Sequence, residues 1–90
     1  MNRFENKIAL ITGGASGIGR STALRLADEG ATIVIADVQD DKAAAVVAEI
    51  TAAGRRALAV HLDVTVESEW ESAVAATLDA FGRLDVLVNN

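Results

Sequence analysis

A few residues in this chain have the types and spacing to hold an anion and a sugar. Gly13, Gly17 and Gly19 follow an apolar run, Ile8-Ala9-Leu10-Ile11, and open a helical pattern that starts at Ile18. A helix start presents unpaired N–H groups and partial positive charge, which attract phosphate. The turn before it must bring backbone close to that anion, and a side chain at Gly13 or Gly17 would stand in the way. Asp37 comes 18 residues after Gly19, at the end of a second apolar run. An acid at about that distance from such glycines accepts hydrogen bonds from ribose hydroxyls. Asp63 ends a third run; its plainer reading, like that of Asp37, is the residue that starts the loop before a helix.

These residues need a frame of strands and helices. Apolar runs predict strands over residues 7–11, 32–36 and 57–62; the unbroken run of the first, and again of the second, fits a strand covered on both faces as in a parallel sheet. A fourth runs from Leu84 through Val86-Leu87-Val88 to Asn89-Asn90. Between them the period becomes helical. Gly19, Ala23, Leu26, Ala27 and Gly30 share one face of a helix over 17–29, small at both ends, so that the helix can press onto the preceding strand. Gln39-Asp40-Asp41 opens a second helix with acids in its first turn, as the dipole favours. Ala43, Val46, Val47 and Ile50 form its inner face, and Gly54 closes it.

Thr65 is the expected N-cap of a third helix. Its inner stripe reads Val66, Trp70, Ala73, Val74, Thr77 and Phe81, and Gly82 ends it. Residues 1–6 read as a lead-in with Phe4 against the sheet edge. His61 reads as a strand residue covered by a helix. The order βαβαβαβ implies an α/β fold of Rossmann type, with a parallel sheet, helices on both faces and right-handed crossovers.

The glycine spacing is G-x-x-x-G-x-G, preceded by Thr12. It resembles the nucleotide-binding motif of the short-chain dehydrogenase/reductase family. The segment Gly82-Arg83-Leu84-Asp85-Val86-Leu87-Val88-Asn89-Asn90 resembles that family's fourth strand, which continues into Asn-Asn-Ala-Gly. The resemblance implies a sheet order 3-2-1-4 with further strands. It implies cofactor contacts from Gly13, Ser16, Gly17, Ile18 and Gly19, from Asp37 and Val38, from the Asp63 side chain and Val64 backbone at adenine, and from Asn89.

Neither Ser16 nor Val38 is basic, where family members that prefer NADP often carry a basic residue. The expected cofactor is therefore NAD, with NADP less favoured. The implied activity is hydride transfer between nicotinamide and a secondary alcohol or ketone, on a small-molecule substrate, in a homodimer or homotetramer. The family's catalytic Ser and Tyr-x-x-x-Lys have no match: there is no tyrosine, and Lys7 and Lys42 do not fit. Residues 1–90 thus read as the cofactor-binding part of a single larger domain, with no catalytic residue in this chain.

Composition bounds the alternatives. The chain is 51% hydrophobic but only 3% aromatic, so its core is built from Ala, Val, Leu and Ile. A net charge of −5 without a basic cluster argues against nucleic acid. With no cysteine and one histidine, no metal site is expected. No run reaches the length of a membrane span, so the expected compartment is the cytoplasm. Three competing readings are an NADP-dependent 3-oxoacyl reductase, a non-catalytic dinucleotide-binding module and an S-adenosylmethionine methyltransferase. The methyltransferase fits the glycine spacing poorly. A P-loop kinase is excluded, because no Gly-Lys-Ser/Thr follows the glycines.

Overall fold

A computed structural model describes residues 3–90. The order is β1 (Ile8–Thr12), α1 (Gly17–Asp28), β2 (Thr32–Asp37), α2 (Asp40–Ala52), β3 (Ala57–His61), α3 (Glu67–Phe81) and β4 (Val86–Val88). The strands form one sheet in the order β3-β2-β1-β4, with every pair parallel. The expected Rossmann-type α/β topology is therefore present.

Alternation along the strands sorts the core into two layers, since successive side chains point to opposite faces. Ala9, Ile11, Ile33 and Ile35 face α1 and α2, where they meet Ala23, Ala27, Ala43, Val46 and Ile50. Leu10, Val34 and Ala36 face the other way and join Leu62 and Ala73, with Leu58, Val60, Trp70 and Phe81 around them. Phe4 packs on the first layer, by the end of α1, where its N–H donates to Glu29 O at 2.9 Å. Alanines on the inner faces of α1 and α2 let both helices lie close to the sheet. Arg20 joins the two helices outside, with Nε and Nη2 donating to the two Glu49 oxygens at 3.0 and 2.6 Å.

The helix ends follow the sequence closely. Gly30 and Gly54 close α1 and α2, each with the paired backbone bonds of a Schellman stop: Ala31 N–H to Leu26 O with Gly30 N–H to Ala27 O, and Arg55 N–H to Ile50 O with Gly54 N–H to Thr51 O. Three expectations need correction. Val66, not Thr65, is the N-cap of α3; the Thr65 hydroxyl instead donates to Asp63 Oδ1 at 2.6 Å. β4 covers only Val86–Val88: at its start the Ile8 N–H goes to the Asp85 carboxylate at 2.8 Å, a side chain in the place of a ladder acceptor, and past its end the Asn90 N–H goes to the Thr12 hydroxyl at 2.9 Å. His61 is exposed: it is the last residue of β3 and lies past the cover of the helix over Ala57 and Ala59.

Candidate functional site

Each βα loop leaves the sheet at its carboxyl edge, so the sequence-singled residues collect there. β1 delivers the turn from Gly13 to Ser16. Gly13 and Gly17 take left-handed backbone, φ 62° and 58°, which a residue with a Cβ rarely adopts. Around Gly17, apart from its chain neighbours and the backbone of α1 itself, no atom lies within 4 Å of where a Cβ would stand, so the loop faces open space. Gly19 is the opposite case. Its Cβ would fall 2.0 Å from the Gly13 carbonyl oxygen and 2.4 Å from Asn90 Nδ2. The expected close packing at Gly19 is present, but against the glycine turn and the end of β4 rather than against the strand.

The α1 N-terminus is left electrically open. Its N-cap, Ser16, makes no side-chain cap bond, and no acid occupies the first turn. Asp40 and Asp41 stand in the first turn of α2, and Glu67 and Glu69 in that of α3. Ser16, Gly17 and Ile18 are exposed there.

β2 delivers Asp37, which is only 6% exposed. Its Oδ2 accepts the Ala15 N–H at 3.1 Å and its Oδ1 accepts the Gln39 N–H at 2.9 Å. The carboxylate is thus fixed against the glycine turn. Each oxygen takes one backbone donor and keeps a lone pair for another partner. β3 delivers Asp63 and Val64. Asp63 Oδ1 accepts from both the hydroxyl and the N–H of Thr65, which holds the carboxyl below the usual aspartate range.

Gly13, Asp37, Val38, Leu62, Asp63, Val64 and Asn90 line one cleft of about 360 Å³. Ile18, Val38 and Val64 are exposed by 78%, 51% and 48%, so three sizeable apolar side chains stand in solvent around the three loops. A larger hollow of about 510 Å³ lies at the opposite edge of the sheet, among Arg55, Arg56 and Arg83. Those arginines are engaged: Arg56 lies over the Phe81 ring, Arg55 donates toward Asp28 O, and Arg83 donates to the Asn6 carbonyl and to Asp85. Ligands of open parallel sheets bind at the carboxyl edge, which favours the smaller cleft.

Asn89 is placed differently from Asn90. The buried Thr12 hydroxyl lies 3.1 Å from Asn89 Oδ1 and accepts the Asn90 N–H at 2.9 Å. Thr12 thereby ties β4 to the glycine turn, with Asn90 on the cleft. That tie was not read from the sequence, although Thr12 stands directly before the glycines. Two further supports went unread. Glu69 Oε1 accepts the Asp63 N–H at 2.7 Å, and Trp70 Nε1 donates to Val64 O at 2.9 Å. Only a spacing of six residues connects each pair, which carries no signal before the fold is known.

Residues 7–90 match the family profile described as short chain dehydrogenase. The chain belongs to the short-chain dehydrogenase family. A 2,5-dichloro-2,5-cyclohexadiene-1,4-diol dehydrogenase of Sphingobium indicum is 53% identical over 88 residues, covering 98% of this chain and 35% of that protein. A 7alpha-hydroxysteroid dehydrogenase of Bacteroides fragilis is 43% identical over 90 residues, covering 100% of this chain and 35% of that protein. The crystal structure of a hydroxysteroid dehydrogenase from Escherichia coli superposes with a TM-score of 0.95 at 39% identity, covering 98% of this chain and 37% of that one.

The chain thus spans about a third of the length of these short-chain dehydrogenases. The family's dinucleotide-binding fold implies use of NAD or NADP. Among the described residues no helix is long and apolar enough to cross a membrane.

Proposed function

We propose that this protein is an NAD-dependent oxidoreductase that moves hydride between nicotinamide and a secondary alcohol or ketone. One observation carries the reading. The glycine turn, the fixed Asp37 carboxylate and the Asp63–Val64 segment come from three separate strands and converge on one cleft. The relatives' names, a cyclohexadienediol dehydrogenase and a hydroxysteroid dehydrogenase, support an alcohol as substrate. Family membership alone supports a homo-oligomeric assembly.

The residues present fit a dinucleotide. The space at Gly17 that a Cβ would fill is open, and the α1 N-terminus beside it, with no side-chain cap and no acid in its own first turn, suits a pyrophosphate. Asp37 would take the adenosine ribose hydroxyls on its free lone pairs. Asp63 and Val64 would flank the adenine, with Val38 and Ile18 as apolar walls. NAD, when bound, supplies the hydride acceptor; this chain's residues bind and orient it. A 2′-phosphate placed about 4 Å from the Asp37 carboxylate would be repelled by about 4 kcal/mol per charge pair at an effective dielectric near 20. The sign favours NAD over NADP.

The test is to titrate the full-length protein with NAD by calorimetry, and to follow NAD reduction with a panel of secondary alcohols. Saturable NAD binding and alcohol-dependent reduction are expected. Binding without reduction of NAD by any alcohol, and without oxidation of NADH by the matching ketones, would leave a dinucleotide-binding module in place of the enzyme.

A further inference from the structure

His61, the only histidine in the chain, stands just outside the cleft and contacts two helix starts. Its Nδ1 lies 2.8 Å from Asp40 Oδ1, at the first residue of α2. Its Nε2 lies 3.6 Å from Glu69 Oε1, in the first turn of α3. That same Glu69 oxygen accepts the Asp63 N–H, and the neighbouring Trp70 holds the Val64 carbonyl. One turn of α3 therefore fixes both residues of the proposed adenine wall, and His61 leans on that turn.

The protonation state decides whether both contacts can be favourable. A neutral imidazole has one N–H and one lone pair. With the N–H on Asp40, the lone pair faces Glu69; with the N–H toward Glu69, the lone pair faces Asp40 at 2.8 Å. Only the imidazolium offers a donor to each carboxylate. The charged groups around it all favour that form: Asp40 from α2, Glu69 from α3 and Asp63 from the loop between β3 and α3. Asp37, its register partner on β2, is taken up by Ala15 and Gln39. Among the described residues this cluster is not one that could hold a metal ion.

We propose that His61 is a positioning residue for the cofactor cleft: as an imidazolium it bridges Asp40 and Glu69 and steadies the α3 turn that holds the Asp63–Val64 wall, and on losing its proton it loosens that turn. The proposal rests on the dinucleotide reading above. The hydrogen bond and charge of Asp40, then the charges of Glu69 and Asp63, raise the His61 pKa above its ordinary value. The bridge is therefore complete below the ordinary histidine pKa and is lost as pH rises through the raised one.

The test measures NAD dissociation constants for the full-length protein by calorimetry across about pH 5 to 9, the span over which a raised imidazole titrates. The pyrophosphate of NAD stays ionised throughout. The same samples report the His61 titration by NMR of its ring protons. Parent protein should bind NAD about two- to fivefold more weakly at the alkaline end, as suits a solvent-exposed charge pair. The midpoint should coincide with the His61 titration. His61→Gln should show the weak affinity at every pH. Glu69→Gln keeps an acceptor for the Asp63 N–H but removes the charge, so the NMR titration and the binding midpoint should move down together. A flat profile in the parent with NAD still bound, or an unchanged profile in His61→Gln, overturns the proposal alone. Failure to bind NAD at any pH overturns the dinucleotide reading and this proposal with it.

Discussion

At Gly17 two demands meet that substitution can separate. The backbone there is left-handed, and the space beside it is open. Gly17→Val should therefore cost about 1–2 kcal/mol of stability from the strained backbone. It should also push a branched side chain toward the proposed pyrophosphate. Gly54 supplies the control, because it too has positive φ and open space, but it ends α2 at the far edge of the sheet. Both valine variants should lower the melting temperature. Only Gly17→Val should weaken NAD, by at least about tenfold or about 1.4 kcal/mol. Equal NAD affinity in the two variants, read by calorimetry, would remove the phosphate-cradle role from this turn.

At the scale of elements, one carboxylate joins the ladder and the Thr12 bonds in holding the β1–β4 seam. Asp85 accepts from Arg83 Nε at 2.9 Å and from the Ile8 N–H at 2.8 Å, while its own N–H donates to Ile8 O. The Arg83 hydrogen bond first, then the Ile8 N–H, holds its carboxyl below the usual aspartate range. A lowered carboxylate pKa adds stability that is complete above the unfolded value of about 3.9 and is lost as pH falls through the folded one. Asp85→Asn should thus destabilise the protein at pH 7 and differ less from the parent near pH 3, measured by urea unfolding at both. A constant difference at the two pH values would mean that shape rather than charge holds the seam.

The same elements show what a sequence can reveal. Apolar runs and helical spacing disclosed the described strands and helices, because strand-length apolar runs and small-residue helix faces leave local patterns. The sequence pattern extends the strand over Leu84 and Asp85, since nothing local says that a side chain takes the place of a ladder acceptor. Thr65 was read as a cap, because its competing bond to Asp63 depends on the loop's path. Gly13, Asp37 and Asp63 announced themselves by spacing from strand ends. Thr12, Glu69, Trp70 and His61 act through partners distant along the chain or on other elements, which only the folded arrangement reveals.

For the molecule as a whole, parallel strands with antiparallel helices give the sheet two unlike edges. The carboxyl edge collects helix N-termini, the glycine turn and the fixed acid Asp37. The amino edge collects helix C-termini, with Arg55 and Arg83 donating to nearby carbonyls. On the proposed function, the α1 N-terminus, alone among the three described helices in having no acid in its first turn, offers a chain of net charge −5 a place for a pyrophosphate at the carboxyl edge. On that same reading, this edge binds NAD and Asp37 selects it. Hydrogen bonds to a charged group are worth roughly 1.5–3 kcal/mol, and the same carboxylate repels a 2′-phosphate. The decisive measurement is the pair of dissociation constants for NAD and NADP, at one ionic strength, in full-length parent and Asp37→Ala. The parent should prefer NAD, and the variant should lose NAD affinity while NADP binding stays equal or strengthens. A parent that already prefers NADP, or a variant that weakens both cofactors equally, would contradict the account.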